Sequence, residues 1–456
     1  MREPIPTSTE LAARARALMD GGFSEAARHA ARRVLIDTVG CMLAGASDPN
    51  LAALAANWGC DPAGGRAPVV GMAGGADAST ATLIGGTAAV WHDYDCGDRF
   101  LGGHPAAHIV PAALALSATT RVSGRDLLAA LVAGFEVAAA VRYAIGLHPT
   151  MHPHGTWPAV GAAAASALLL GLGTAELVNA LEIAGSMSLA TTFRSALAGA
   201  TVRNLYAGTG AALGLLAAQA SRGGMSGLAD GMDDIYGTIL AAGDAGDAGA
   251  ADDRPYGEGL EIERSYFKAH ACARYLHSAL DALGVILGGH DVDAEGVHEV
   301  EVATYAFAAS MDDPAPRSEL AARFSLPYAI AALLVLGDTG IDAFGTQHLH
   351  TGALREMAAR VAVHEDPRYT QATPSERPAR VRLVTADGTY EAEVRLPRGE
   401  PDCDPLSDED VSEKFMASAA RVVPGERAAQ VLGGLWDVES VPDVAEIVRF
   451  LVPPNV

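Results

Sequence analysis

Cysteine is scarce in this chain and arranged for neither metal nor redox work. Its five cysteines, Cys41, Cys60, Cys96, Cys272 and Cys403, are odd in number, scattered, and never form a Cys-x-x-Cys pair. That leaves no sequence basis for a disulfide framework, a zinc knuckle or a thiol redox centre. Such usage fits a reducing compartment, so a cytoplasmic home is expected. Basic residues are also in deficit: 32 Lys and Arg face 55 Asp and Glu, for a formal charge of −23. A surface of that sign repels phosphate backbones, so nucleic acid is not an expected partner. The stretch Met1 to Glu10 is charged and polar and runs into no apolar signal core. The most apolar stretch, Val160 to Leu172, falls short of the roughly 20 residues that span a bilayer. It reads as a buried helix, and no membrane association is expected. Neither Gly-x-x-x-x-Gly-Lys-Ser/Thr nor a strand-coupled Gly-x-Gly-x-x-Gly is present, and no Gly-x-Ser-x-Gly elbow occurs. Nucleotide cofactors and serine hydrolase chemistry therefore lack sequence support.

Apolar residues are plentiful. They make up 50% of 456 residues, enough for more than one packed core, so two domains are expected. From Ser8 to Ser226 Ala and Leu recur with helical spacing, as in Ala27, Ala31, Val34, Leu35 and Val39, which predicts an all-helical half. Gly243 to Asp253 is small, acidic and repetitive and reads as a solvent loop. Beyond it, Val297 to Tyr305, Ala379 to Val384 and Tyr390 to Leu396 alternate like strands. The stretch Asp408 to Val452 is helical again and is expected to pack back on the first half. The predicted fold is mainly α: a large helical domain, residues 1–264 and 402–456, with a smaller α+β domain, residues 265–401, inserted in it.

Four segments concentrate chemistry. The first, a loop read as running from Asp93 to Pro111, brings Asp93, Asp95, Asp98, His104 and His108 together, and carboxyl and imidazole groups supply acid–base catalysis when their surroundings tune them. Asp98 could equally cap a turn. The second, His148 to Pro158, carries His148, His152, His154 and Trp157 ahead of an Ala-rich helix whose N-terminus favours an anion. The third places Arg203 beside Asn204 and Tyr206 at the head of a helix, where a guanidinium fork could grip a carboxylate. The fourth, Tyr266 to His277, supplies Lys268, Arg274 and His277 near the expected junction between domains. His104, His108, His152 and Asp93 are ligand types for zinc or iron, but no His-Glu-x-x-His pattern supports this, and no metal is expected.

In this order and spacing, Asp93-Tyr-Asp, Gly103-His-Pro, His152-Pro, Thr201-Val-Arg-Asn-Leu-Tyr-Ala-Gly, Phe267-Lys with Cys272 to His277, and Ala322-Arg-Phe-Ser-Leu-Pro-Tyr328 resemble the MmgE/PrpD family nearly end to end. That family includes 2-methylcitrate dehydratase, cis-aconitate decarboxylase and iminodisuccinate epimerase. The resemblance implies a helical domain with an α+β lid and a homodimer. It implies catalytic positions at Asp93, His104, His152, Lys268 and His277. Arg203, Tyr206, His154, Trp157, Arg274 and Asp98 are expected to bind substrate. Two departures stand out: Arg203-Asn-Leu-Tyr206 where many members carry Lys-x-Leu-His, and Cys96-Gly-Asp98 where they often carry Asp-Asp-Thr. A cofactor-free dehydratase acting on a small di- or tricarboxylate is the expectation. Decarboxylation or epimerisation would use nearly the same groups, and a non-catalytic carboxylate-binding protein is the alternative of another class.

Overall fold

The computed structural model describes residues 5–61, 64–241 and 259–453. The segment Gly243 to Asp253, read above as a solvent loop, lies outside the described residues. The protein is mainly α. Its long helices start where short polar side chains satisfy free backbone N–H groups: Ser24 caps Glu25–Ala46, Asp77 caps Ala78–Ala89, and Ser123 caps Gly124–Ala144. Pro158 opens Pro158–Leu169 at a position where its missing N–H costs nothing.

These helices are Ala-rich and cross closely at glycines. A Cβ added at Gly161 would lie 2.5 Å from the Gly134 carbonyl oxygen, and one at Gly208 would lie 2.2 Å from the carbonyl of Leu83 and the hydroxyl of Thr87. The second crossing matters for function. It presses the helix Val202–Arg222, which carries Arg203, against Ala78–Ala89, which leads directly into Asp93.

One hydrophobic cluster runs from Leu11 to Phe267 and resumes with Leu406, Val411, Phe415 and the apolar residues beyond. The helix Asp408–Ala419 thus returns to the first half and packs on Glu25–Ala46. A second cluster gathers Cys272 to Leu383, with Ala196. At its centre a four-stranded sheet runs in the order Val361–Glu365, Val297–Thr304, Ala379–Thr385, Thr389–Val394. The first two strands are parallel, and the remaining pairs are antiparallel. In Ala379–Thr385, Ala379, Val381 and Leu383 alternate inward and pack against the helix His277–Gly289.

Two sequence expectations need adjusting. The loop after Asp93 ends at Pro105, because Pro111 sits inside the helix Ala106–Ser117. Gly85 and Gly86 on the facing helix leave room there for the proline ring and for the carbonyl of Ala107 that the ring deprives of a partner. The helix Gly124–Ala144 is also long and apolar enough to cross a membrane by length and composition, a stretch passed over above in favour of Val160 to Leu172. Its most apolar window is 89% buried inside the protein.

Candidate active site

Asp93 is the centre of the site. It has a left-handed backbone, φ +50°, and its carboxylate is enclosed by protein. Lys268 donates to one carboxylate oxygen at 2.9 Å and to the Asp93 carbonyl at 2.6 Å, and Arg203 donates to the other carboxylate oxygen. Burial alone would raise this carboxyl group, but Lys268, Arg203 and His104 together hold it well below the usual carboxylate range.

Arg203 is therefore committed within the protein. It also donates to the Val90 carbonyl at 3.0 Å, to Asn204 at 3.3 Å and to His152 Nε2 at 3.2 Å. Its guanidinium lines the chamber, yet the fork expected to grip a substrate carboxylate is here spent on Asp93 and its neighbours. The physical reason is the buried carboxylate, which needs paired charge more than a ligand does.

Beside this cluster, His104 Nδ1 lies 2.8 Å from the Cys96 carbonyl and 2.9 Å from an Asp95 carboxylate oxygen. Both neighbours accept, so the proton sits on Nδ1 and Nε2 is the nitrogen free to take another. Asp95 is buried, which would raise its carboxyl group, but His104 and, behind it, Lys268 together lower it. The loop that presents Asp93 to Cys96 is pinned from elsewhere: Lys414 pairs with Asp37 at 2.7 Å and donates to the Tyr94 carbonyl at 2.7 Å, while Asp37 accepts the Cys96 N–H at 2.9 Å.

His152 joins the same chamber but in a different state. Its Nδ1 faces the His154 N–H at 3.1 Å and its Nε2 faces Arg203. Burial, followed by the Arg203 charge, holds the ring neutral, far below the ordinary imidazole range. His154 lies between the other rings, 4.6 Å from His152, 5.3 Å from His104 and 5.4 Å from His108, and is itself enclosed. His108 accepts the Gly155 N–H at 3.1 Å, and burial lowers its pKa to about 4.

The chamber wall includes Asp93, His104, His152, Arg203, Lys268 and Arg274. The other residues expected to react with or bind substrate, His277, Asp98, Trp157, Tyr206 and His154, lie outside it. His277 is behind the wall, where its Nδ1 meets Arg274 at 3.0 Å. Arg274 itself is held by Glu400 at 2.9 Å. Asp98 accepts the N–H groups of Phe100 and Leu101, both at 2.8 Å, and pairs in a short ladder with Ser265. Burial, then the charge of Glu261, raises its pKa to about 8. Trp157 is buried beneath Gly103, and the half-buried Tyr206 stands 6.3 Å from His152. Among the described residues, no group of three or more His, Cys, Asp or Glu side chains is placed to hold a metal ion.

Two wall residues, Phe193 and Arg377, carried no sequence signal, and Tyr275 lay within the Cys272 to His277 stretch without being singled out. Phe193 stacks on His152 at 5.1 Å, Tyr275 stands across from Phe193 at 6.2 Å, and Arg377 reaches in from just ahead of the inner strand Ala379–Thr385. Asp95 did carry one, as part of the acidic loop.

The chain is 25% identical over 356 residues to the cis-aconitate decarboxylase-like protein oryM of Aspergillus oryzae, covering 72% of each chain. It is 25% identical over 393 residues to the cis-aconitate decarboxylase of Mus musculus, covering 82% of this chain and 79% of the mouse protein. Family models for the MmgE/PrpD N-terminal domain and the MmgE/PrpD C-terminal domain match residues 9–248 and 270–437, so that Asp93, His104 and His152 fall under the first while Lys268 sits just ahead of the second. The chain belongs to the MmgE/PrpD family.

Proposed function

We propose that this protein is a cofactor-independent lyase that moves a proton at a carbon next to a carboxylate of a small di- or tricarboxylate, and that the outcome is dehydration of a 2-methylcitrate-like substrate. The observation that carries the reading is the pairing of His104 with Asp95 beside the Lys268–Asp93–Arg203 cluster in one chamber. His104 is the base. Asp95 stabilises the imidazolium that forms when Nε2 takes the proton, whereas burial and the adjacent Arg203 charge disfavour a cationic His152. The electron pair left on carbon delocalises into the carboxylate, and Lys268 stabilises that charge. Hydroxide then leaves the neighbouring carbon and departs as water with the proton His104 has taken.

Decarboxylation is the second reading, favoured by the names of both relatives. There the carbon–carboxylate bond breaks, carbon dioxide departs with the charge left on carbon, and His104, protonated beforehand from solvent, gives its proton to that carbon. Epimerisation would return the proton to the opposite face. A cytoplasmic homodimer completes the proposal. Deuterium uptake from heavy water into a panel of tricarboxylates, followed by assay of water loss and carbon dioxide release, tests it. Absence of uptake into every member would overturn the acid–base reading, and carbon dioxide without alkene formation by water loss would replace dehydration with decarboxylation.

A further inference from the structure

The chamber that holds the reacting groups is too small for a whole substrate. At about 20 Å³ it admits little more than one water-sized group. It adjoins an outer chamber of about 170 Å³, and Phe193, Tyr275 and Arg377 stand in the walls of both. Whatever reacts beside Lys268 and His104 therefore extends past these residues into the outer space.

That outer space is built for an apolar group. Leu147, Met151, Tyr305 and Phe307 contribute to its wall. Phe193 makes the aromatic surface continuous from the site outward: its face lies on His152, with an interplanar angle of 17°, and its ring meets Phe307 edge-on at 5.0 Å. The guanidinium groups of the outer wall are occupied. Arg99 pairs with Glu400 at 3.1 Å and Asp402 at 2.8 Å, and Arg142 donates to the carbonyls of Leu101 and Ile145. Arg377 differs from them in place, since it stands at the neck between the chambers, donating to the Arg99 carbonyl at 3.3 Å and lying over Tyr275. A cation at the neck followed by an aromatic and aliphatic wall matches an acid whose reacting end enters the inner chamber, whose carboxylate meets the cation and whose far end is hydrocarbon.

We infer, building on the acid–base reading above, that the substrate is a carboxylic acid bearing an apolar substituent, a short alkyl chain or a single aromatic ring, seated in this outer chamber, with a carboxylate facing Arg377 at the neck. The unsubstituted acid would bind through its head alone. Each methylene buried in an apolar site tightens binding by about fourfold at full burial.

Calorimetric titration of succinates carrying hydrogen, methyl, butyl or benzyl at C2 tests this, with deuterium uptake from heavy water measured on the same series. The butyl and benzyl acids are expected to bind at least about tenfold more tightly than the methyl acid. Affinities that stay flat or fall along the series would overturn the inference, whatever the uptake shows. Rising affinities with no uptake into any member would leave the tail seat standing and sink the acid–base reading instead. Phe307→Ser is expected to shrink the butyl-to-methyl affinity ratio severalfold, and an unchanged ratio in a variant with unchanged melting temperature would also count against the seat.

Discussion

Lys268 holds Asp93 twice, through its carboxylate at 2.9 Å and its carbonyl oxygen at 2.6 Å, so one ammonium fixes both the charge and the left-handed backbone of that residue. Arg203 binds the opposite carboxylate oxygen, making a buried triad of one anion between two cations.

Asp93→Asn should leave two buried cations without a countercharge and cost on the order of 3–5 kcal/mol. Lys268→Met alone should also destabilise, because it leaves Asp93 with one partner. Urea denaturation of both single variants and the double variant would show the double costing clearly less than the sum, the signature of a shared pair. Simple additivity would mean the two residues act independently.

Arg203→Lys keeps the charge but loses the planar fork that reaches Asp93, Val90 and His152 together. Stability should fall by about 1–3 kcal/mol, with substrate affinity changing less than stability. A melting temperature equal to the wild type combined with tenfold weaker binding would restore Arg203 to the role of substrate clamp.

His104→Asn should reduce deuterium uptake by roughly 10²–10⁴-fold while the protein stays folded, as expected for loss of a general base. Asp95→Asn should reduce uptake by less and shift the pH profile, because the imidazole remains but its ionic partner does not. Equal uptake in wild type and His104→Asn would pass the proton to another group.

Asp98 gives the protein a stability that depends on pH in an unusual direction. Its carboxyl group is raised to about 8 by burial and by Glu261, from 3.8. Glu136 is raised to about 7 by burial, against the pull of Arg14. The native state therefore keeps protons that the unfolded chain has released, so this contribution is whole in acid and is lost as pH rises through about 8. The urea midpoint should drop between roughly pH 7 and pH 9, above the range in which the buried neutral histidines act in the opposite direction, and Asp98→Asn, which keeps the acceptor for Phe100 and Leu101, should flatten that drop. A midpoint independent of pH in the wild type would contradict the buried neutral carboxyl.

The helical half was legible because Ala and Leu recur at helical spacing over long stretches, and the strands Val297–Thr304, Ala379–Thr385 and Thr389–Val394 because they alternate. Val361–Glu365 escaped because only Val361 is buried among Val-Ala-Val-His-Glu, a pattern set by its edge position. Pro111 was read as the end of a loop because the glycines that make room for it lie on another helix, out of reach of local spacing. At the site, the motif residues could be singled out, but their assignments could not. Arg203 reads as a free fork until Asp93 is seen 110 residues away across the chain. Arg377 and Phe193 sit in no motif, and only folding brings them to the neck.

Lys414 ties the order of synthesis to the order of assembly. It lies late in the chain, yet it neutralises Asp37 and holds the carbonyl of Tyr94, the residue next to Asp93. A nascent chain that has released the whole first half from the ribosome still has an unpaired carboxylate under this loop, at a site that buries it in the finished protein. The countercharge for that carboxylate, and the donor for the Tyr94 carbonyl, arrive only with residue 414.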